Sequence, residues 1–172
     1  MNTDLYLLRH GIAARRGTAW RHDADRPLTK KGKKKIRDVA KGMRGFGISF
    51  DIILSSPLRR AKETADIVAR VLRCRKKLRF TDHLKIGGSP EALIHEITTR
   101  HRKAGAVLLV GHEPYLSRLI SVLVSGTEDL SIRMKKGGLC KLSVQSLRHG
   151  RCATLQWLVG PSLVLRSDRT YL

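Results

Sequence analysis

The sequence predicts an α/β fold, a three-layer α/β/α sandwich around a central, mainly parallel sheet, and three observations carry that expectation. Short apolar runs at residues 5–8, 52–54 and 106–110 have the continuous hydrophobicity of strands buried on both faces. Each run is followed by a polar turn and then a segment of helical period, the alternation that builds parallel sheets. Two late alternating segments, Leu139–Val144 and Ala153–Val159, flank a turn near Gly150 and read as a hairpin, which makes the sheet mixed.

In chain order, the first run stops at Arg9-His10-Gly11, so a buried strand opens into a loop at its carboxyl end, where α/β proteins collect their chemistry. A polar, basic loop leads to Thr29, a side chain suited to cap a helix carrying Ile36, Val39, Ala40, Met43 and Phe46 on one stripe. After the second strand, Ser55 and Ser56 are cap candidates and Pro57 suits a first helical turn. The helix behind them buries Leu58, Ala61, Ala65, Val68 and Leu72. The middle is weakly patterned until Pro90 starts a helix through Leu93 and Ile97. The strand at 106–110 ends at Gly111-His112, and Pro114 opens a helix with Leu116, Leu119, Ile120, Leu123 and Val124. A length of 172 residues without repeats or linkers predicts one domain over 1–172.

Composition removes several classes of function. No stretch approaches the roughly 18 apolar residues of a membrane span, and Asp4 interrupts the basic-then-apolar order of a secretion signal. A cytoplasmic protein without a membrane partner is expected. Cys74, Cys140 and Cys152 form no CxxC and leave one unpaired in any disulfide scheme, so they read as reduced thiols. The seven histidines show no ligand spacing, so no metal site is expected. The formal charge of +21 predicts attraction to anions, from phosphorylated small molecules to acidic proteins, or simply a solvated basic face. The cluster Lys30, Lys31, Lys33, Lys34 and Lys35 lacks interleaved aromatics for base stacking, which argues against nucleic acid.

Arg9 with His10, the Arg59-Arg60 pair, and His112 all follow strands. Two arginines and two histidines suffice chemically for phosphoryl transfer, because cations must surround the equatorial oxygens while a nucleophile is held in line. Taken singly, each has a structural alternative: a loop basic pair, a helix-surface arginine, a histidine hydrogen-bonded at a strand end. The loop residues Arg15, Arg16 and Arg21 either reach further negative charges of a substrate or are solvated.

The segments Leu7-Leu8-Arg9-His10-Gly11, Pro27-Leu28-Thr29 before Gly32, Ser55-Ser56-Pro57-Leu58-Arg59-Arg60-Ala61 with Thr64-Ala65, and Val110-Gly111-His112-Glu113-Pro114 together resemble the histidine phosphatase (phosphoglycerate mutase-like) superfamily. Arg-Pro-Leu-Thr and Gly-His-Glu-Pro look most like its SixA branch of phosphohistidine phosphatases. The resemblance implies that His10 is a covalent nucleophile and that Arg9, Arg60 and His112, with Gly11, bind the phosphoryl group, without metal or organic cofactor. It selects Arg60 over Arg59, because the family arginine directly precedes the alanine. Inorganic phosphate or sulfate is expected to bind there.

Larger members add a proton-donating carboxylate between the second and third motifs. Asp82, Glu91 and Glu96 lie in that interval without the acid-bearing pattern. Glu113 is either a proton donor or a helix-terminal charge. A missing acid favours P–N bonds, whose imidazole leaves more easily than an alkoxide. The expected substrate is therefore a phosphohistidine protein. A small phosphorylated substrate, a general phosphomonoester, polyphosphate or nucleotide, is the enzymatic alternative, and a basic binding module without turnover is the non-enzymatic one.

Overall fold

A computed structural model describes residues 2–17 and 19–164. Its elements are β1 (Thr3–Arg9), α1 (Lys30–Gly45), β2 (Ile52–Ser55), α2 (Arg59–Val71), β3 (Leu78–Phe80), α3 (Pro90–Arg100), β4 (Ala106–Gly111), α4 (Tyr115–Ser125), β5 (Leu139–Val144), β6 (Ala153–Val159) and α5 (Pro161–Val164). The six strands form one sheet in the order β3-β2-β4-β1-β5-β6. Strands β1 to β4 run parallel, while β5 lies antiparallel to β1 and β6 to β5. The mixed, mainly parallel sheet expected from the sequence is the observed one, hairpin included.

Side-chain alternation along each strand divides the interior into two layers. Leu5, Leu7, Leu54, Val107 and Leu109 pack with Leu93 and Ile97 of α3 and Leu116, Leu119 and Ile120 of α4. Tyr6, Leu8, Ile53, Leu108 and Val110 pack on the other face with Ile36, Val39 and Met43 of α1 and Ala61, Ala65 and Val68 of α2. Continuous apolar runs are required because both faces of these strands are covered.

Four local readings change. Pro57 precedes α2 instead of sitting in its first turn, and Leu58 occupies the cap position. Ser55 belongs to β2, and Ser56 binds a histidine described below. Phe46 falls just beyond α1 and is 59% exposed, since the helix stops before its stripe recurs. The edge strand β3 was not foreseen: its three residues are half-buried or exposed and carry no periodic signal. Thr29, in contrast, caps α1 as expected by accepting the Gly32 N–H at 2.9 Å.

Gly32 explains its place behind Pro-Leu-Thr. Ile12 C=O accepts the Thr29 N–H at 2.9 Å, and a Cβ on Gly32 would stand 2.1 Å from that same oxygen. The first turn of α1 thus lies directly on the chain leaving β1. Gly32→Ala should destabilise the fold by roughly 1–3 kcal/mol through backbone overpacking. Gly17→Ala, in open space, should stay within about 0.5 kcal/mol. Urea denaturation of both variants checks the contrast; equal midpoints would contradict it.

Candidate active site

The site begins as a continuation of the sheet. In the order β2-β4-β1, the ladder runs one residue beyond each outer strand: His10 N–H donates to Gly111 C=O at 3.0 Å and Ser56 N–H to Val110 C=O at 3.0 Å. Three adjacent strand ends therefore present His10, Ser56 and His112 side by side. The His10 and His112 rings lie 5.1 Å apart between centroids, both buried.

Each ring has a fixed partner. His10 Nδ1 is 2.7 Å from the Gly11 carbonyl oxygen, which can only accept, so Nδ1 carries the proton and the lone pair is left on Nε2. Arg60 Nε donates toward that Nε2 at 3.3 Å. His112 Nε2 meets Ser56 Oγ at 2.8 Å. Among the described residues, His112 Nδ1, Arg9 Nε and Glu113 Oε1 are buried without a hydrogen-bond partner in the protein.

Arg60, second residue of α2, is only 3% exposed, whereas the Arg59 side chain is 47% exposed and pairs with Glu63 at 3.1 Å. The Arg59 guanidinium also lies 5.3 Å from the Trp20 ring centroid. Arg9 donates through Nη1 to Met134 C=O at 2.7 Å, and its charge reaches both histidines. Burial above all, opposed by the Gly11 hydrogen bond and reinforced by the nearby His112, Arg60 and Arg9, lowers the His10 pKa to about 3. Burial, then the Arg60 charge, holds His112 at about 4. Both rings are neutral over the physiological range.

The remaining expected residues are placed differently. Gly11 orients His10 instead of offering a free N–H: its carbonyl accepts from His10 Nδ1, and its N–H donates to Thr64 Oγ1 at 3.1 Å. Arg15 and Arg21 are exposed on the loop, and Arg16 reaches Asp23 at 3.0 Å with its side chain 76% exposed. Glu113 Oε2 accepts the Ser117 hydroxyl within the first turn of α4. Asp82 pairs with Lys85, Glu91 with His149, and Glu96 Oε2 accepts from Thr81 at 2.6 Å. Among the described residues, no group of three or more His, Cys, Asp or Glu side chains could hold a metal ion, and no helix is long and apolar enough to cross a membrane.

Sequence reasoning gave no part to four contributors. Ser56 was read as a cap, and Thr64 was part of a motif without a role. Asp23 binds Arg60 through both its backbone carbonyl and its side chain. Arg26 in turn donates to Asp23 Oδ1 at 2.6 Å. The available signal was a carboxylate three residues before the arginine of Arg-Pro-Leu-Thr, in a loop otherwise noted for cations.

The family model for the histidine phosphatase superfamily (branch 1) matches residues 5–85. An uncharacterized protein of Picosynechococcus sp. is 35% identical over 140 residues, covering 81% of this chain and 84% of that protein. The chain belongs to the histidine phosphatase superfamily. Its architecture is that of the SixA-type structures. The protein histidine phosphatase SixA complexed with tungstate superimposes with a TM-score of 0.81 at 21% identity, over 94% of this chain and 99% of that one. A proposed phosphohistidine phosphatase SixA from Nakamurella multipartitia gives 0.75 at 25% identity, over 94% and 97%.

The depressed histidine pKa values link the site to stability. An unfolded histidine titrates near 6.5 and folded His10 near 3, so below pH 6.5 the unfolded chain binds the extra proton. The stabilising contribution is complete above pH 6.5 and is lost as pH falls toward 3. In buffer free of phosphate and sulfate, wild-type stability should fall between pH 6.5 and 4 more steeply than that of His10→Gln, by up to about 1.4 kcal/mol per pH unit. Parallel pH profiles of the two proteins would contradict the burial of a neutral His10.

Proposed function

We propose that this chain is a phosphohistidine phosphatase that passes the phosphoryl group through His10. One observation carries the reading: the Gly11 carbonyl, 2.7 Å from Nδ1, commits the His10 lone pair to Nε2, in a buried site ringed by Arg9, Arg60 and His112. Nε2 attacks phosphorus, the bond to the leaving group breaks, and a phosphohistidine forms. Water then attacks the same phosphorus, the P–Nε2 bond breaks, and orthophosphate leaves with His10 neutral again. No residue changes its net charge over the cycle.

The cations act on the charge that develops on the equatorial oxygens. Arg60 is pre-aimed, its Nε already directed at the nucleophile. Arg9 Nε and His112 Nδ1 are buried polar atoms without a partner among the described residues, a costly arrangement that a phosphoryl oxygen relieves. His112 donates from Nδ1 in the tautomer that Ser56 stabilises by donating its hydroxyl into Nε2. Inorganic phosphate or sulfate is the simplest occupant.

The substrate class follows from the leaving group. Asp82, Glu91 and Glu96 are engaged elsewhere, and the Glu113 carboxylate is held by Ser117. An imidazole leaves without strong acid assistance and an alkoxide does not, which favours phosphohistidine on a protein. The second reading, a phosphomonoesterase of small phosphates, rests on Glu113 as the acid: its Oε1, next in sequence to His112, is buried without a hydrogen-bond partner among the described residues.

In chelator-treated buffer, the wild type should turn over a phosphohistidine substrate far faster than a simple alkyl phosphate, and Glu113→Gln should keep that P–N activity. Comparable alkyl ester turnover that Glu113→Gln abolishes establishes the second reading. Absence of turnover on both leaves a binding module.

A further inference from the structure

The guanidinium of Arg60 offers two edges for paired hydrogen bonds, an end edge formed by Nη1 and Nη2 and a side edge formed by Nε and Nη2. Asp23 takes the end edge: Nη1 donates to its carbonyl oxygen at 2.7 Å and Nη2 to its Oδ2 at 2.8 Å. The side edge is turned to the nucleophile, with Nε 3.3 Å from His10 Nε2. A single residue thus fixes the guanidinium through both backbone and side chain, leaving the edge beside His10 for a ligand.

Asp23 has a brace of its own. Its Oδ1 accepts from Arg26 Nη1 at 2.6 Å, and Arg26 Nε donates to the Ala14 carbonyl at 2.8 Å. Ala14 N–H in turn donates to Pro27 C=O at 2.9 Å, and Ala13 bridges to Leu28. The loop that leaves His10 is therefore tied to its own returning segment at the arginine of Arg-Pro-Leu-Thr. The Arg26 side chain is 17% exposed, so its pair with Asp23 is sheltered, while the Arg16 pair is open to solvent and contributes little.

We propose that Asp23 is the positioning residue for Arg60, and that Arg26 holds Asp23, so that loop 13–28 aims the side edge of Arg60 at a phosphoryl group on His10. This rests on the phosphatase reading and assigns a task to Arg26, the arginine of Arg-Pro-Leu-Thr, which lies outside the phosphate shell. The rival is a competitor: a carboxylate lodged where phosphoryl oxygens bind, to be expelled by substrate. The two make opposite predictions for phosphate affinity, because removing a brace weakens binding and removing a competitor strengthens it.

The test is a double-variant cycle of Asp23→Ala and Arg60→Ala, read by calorimetric affinity for orthophosphate and by kcat and KM on a small phosphoramidate. Asp23→Ala should lower kcat roughly 10- to 100-fold, the scale of a misplaced catalytic group, and weaken orthophosphate. Added to Arg60→Ala, it should change neither value more than about twofold, since a brace has nothing left to position. Arg26→Ala should reproduce part of the loss and Arg26→Lys recover part of it. If Asp23→Ala does not fold, Asp23→Asn, which keeps an acceptor of the same shape, should show a smaller loss of the same sign. Tighter orthophosphate binding, unchanged kcat, or additive losses in the double variant would each overturn the proposal. Orthophosphate affinity is read without turnover, so an inactive wild type would sink the phosphatase reading and still leave this one decided.

Discussion

The site depends on keeping an imidazole uncharged and correctly tautomeric among cations. The carbonyl of Gly11 achieves the second condition by accepting the Nδ1 proton, and burial with Arg9, Arg60 and His112 achieves the first. Burial does most to keep the His10 lone pair unprotonated, and the positive charge of Arg60 and Arg9, which would also hold a phosphoryl group, adds to it. Because the Gly11 carbonyl is adjacent in the chain, the tautomer is set by local geometry. What remains for the fold is to bring the cations close without neutralising them.

The sheet does this with register. Strands β1, β4 and β2 are neighbours, and each outer strand adds one more ladder bond to β4 past its end. His10, His112 and Ser56 are therefore spaced by the fixed separation of strands. The helix behind β2 then delivers Arg60 from its first turn, and Thr64, one turn later, accepts the Gly11 N–H at 3.1 Å and donates to Arg60 C=O at 2.7 Å. One threonine locks the loop after His10 to the helix that carries Arg60.

Much of this was legible in the sequence because it rests on local rules. Residues 5–8 and 106–110 read as buried strands since both faces are covered, and Thr29 read as a cap because its hydroxyl has an N–H three residues on to satisfy. The choice of Arg60 over Arg59 came from resemblance, and the structure places Arg60 in the interior beside His10 while Arg59 faces Glu63 and Trp20. What stayed hidden depends on contacts distant in sequence. Ser56 binds a histidine 56 residues away, and Asp23 meets an arginine 37 residues away. No periodicity or cap rule encodes such pairs. Strand β3 went unseen because a three-residue edge strand with one half-buried leucine has too little pattern to show.

The account stands on a covalent step at one nitrogen, and trapping that intermediate tests it most directly. Rapid quenching of the enzyme with a small phosphoramidate at neutral pH, followed by peptide mass spectrometry, should find an acid-labile, alkali-stable phosphate on His10. The signal should be absent from His10→Ala, which should also have no turnover. Phosphate on another residue, or turnover that survives in His10→Ala, would contradict the assignment of His10 as the nucleophile and with it the reading of the whole site.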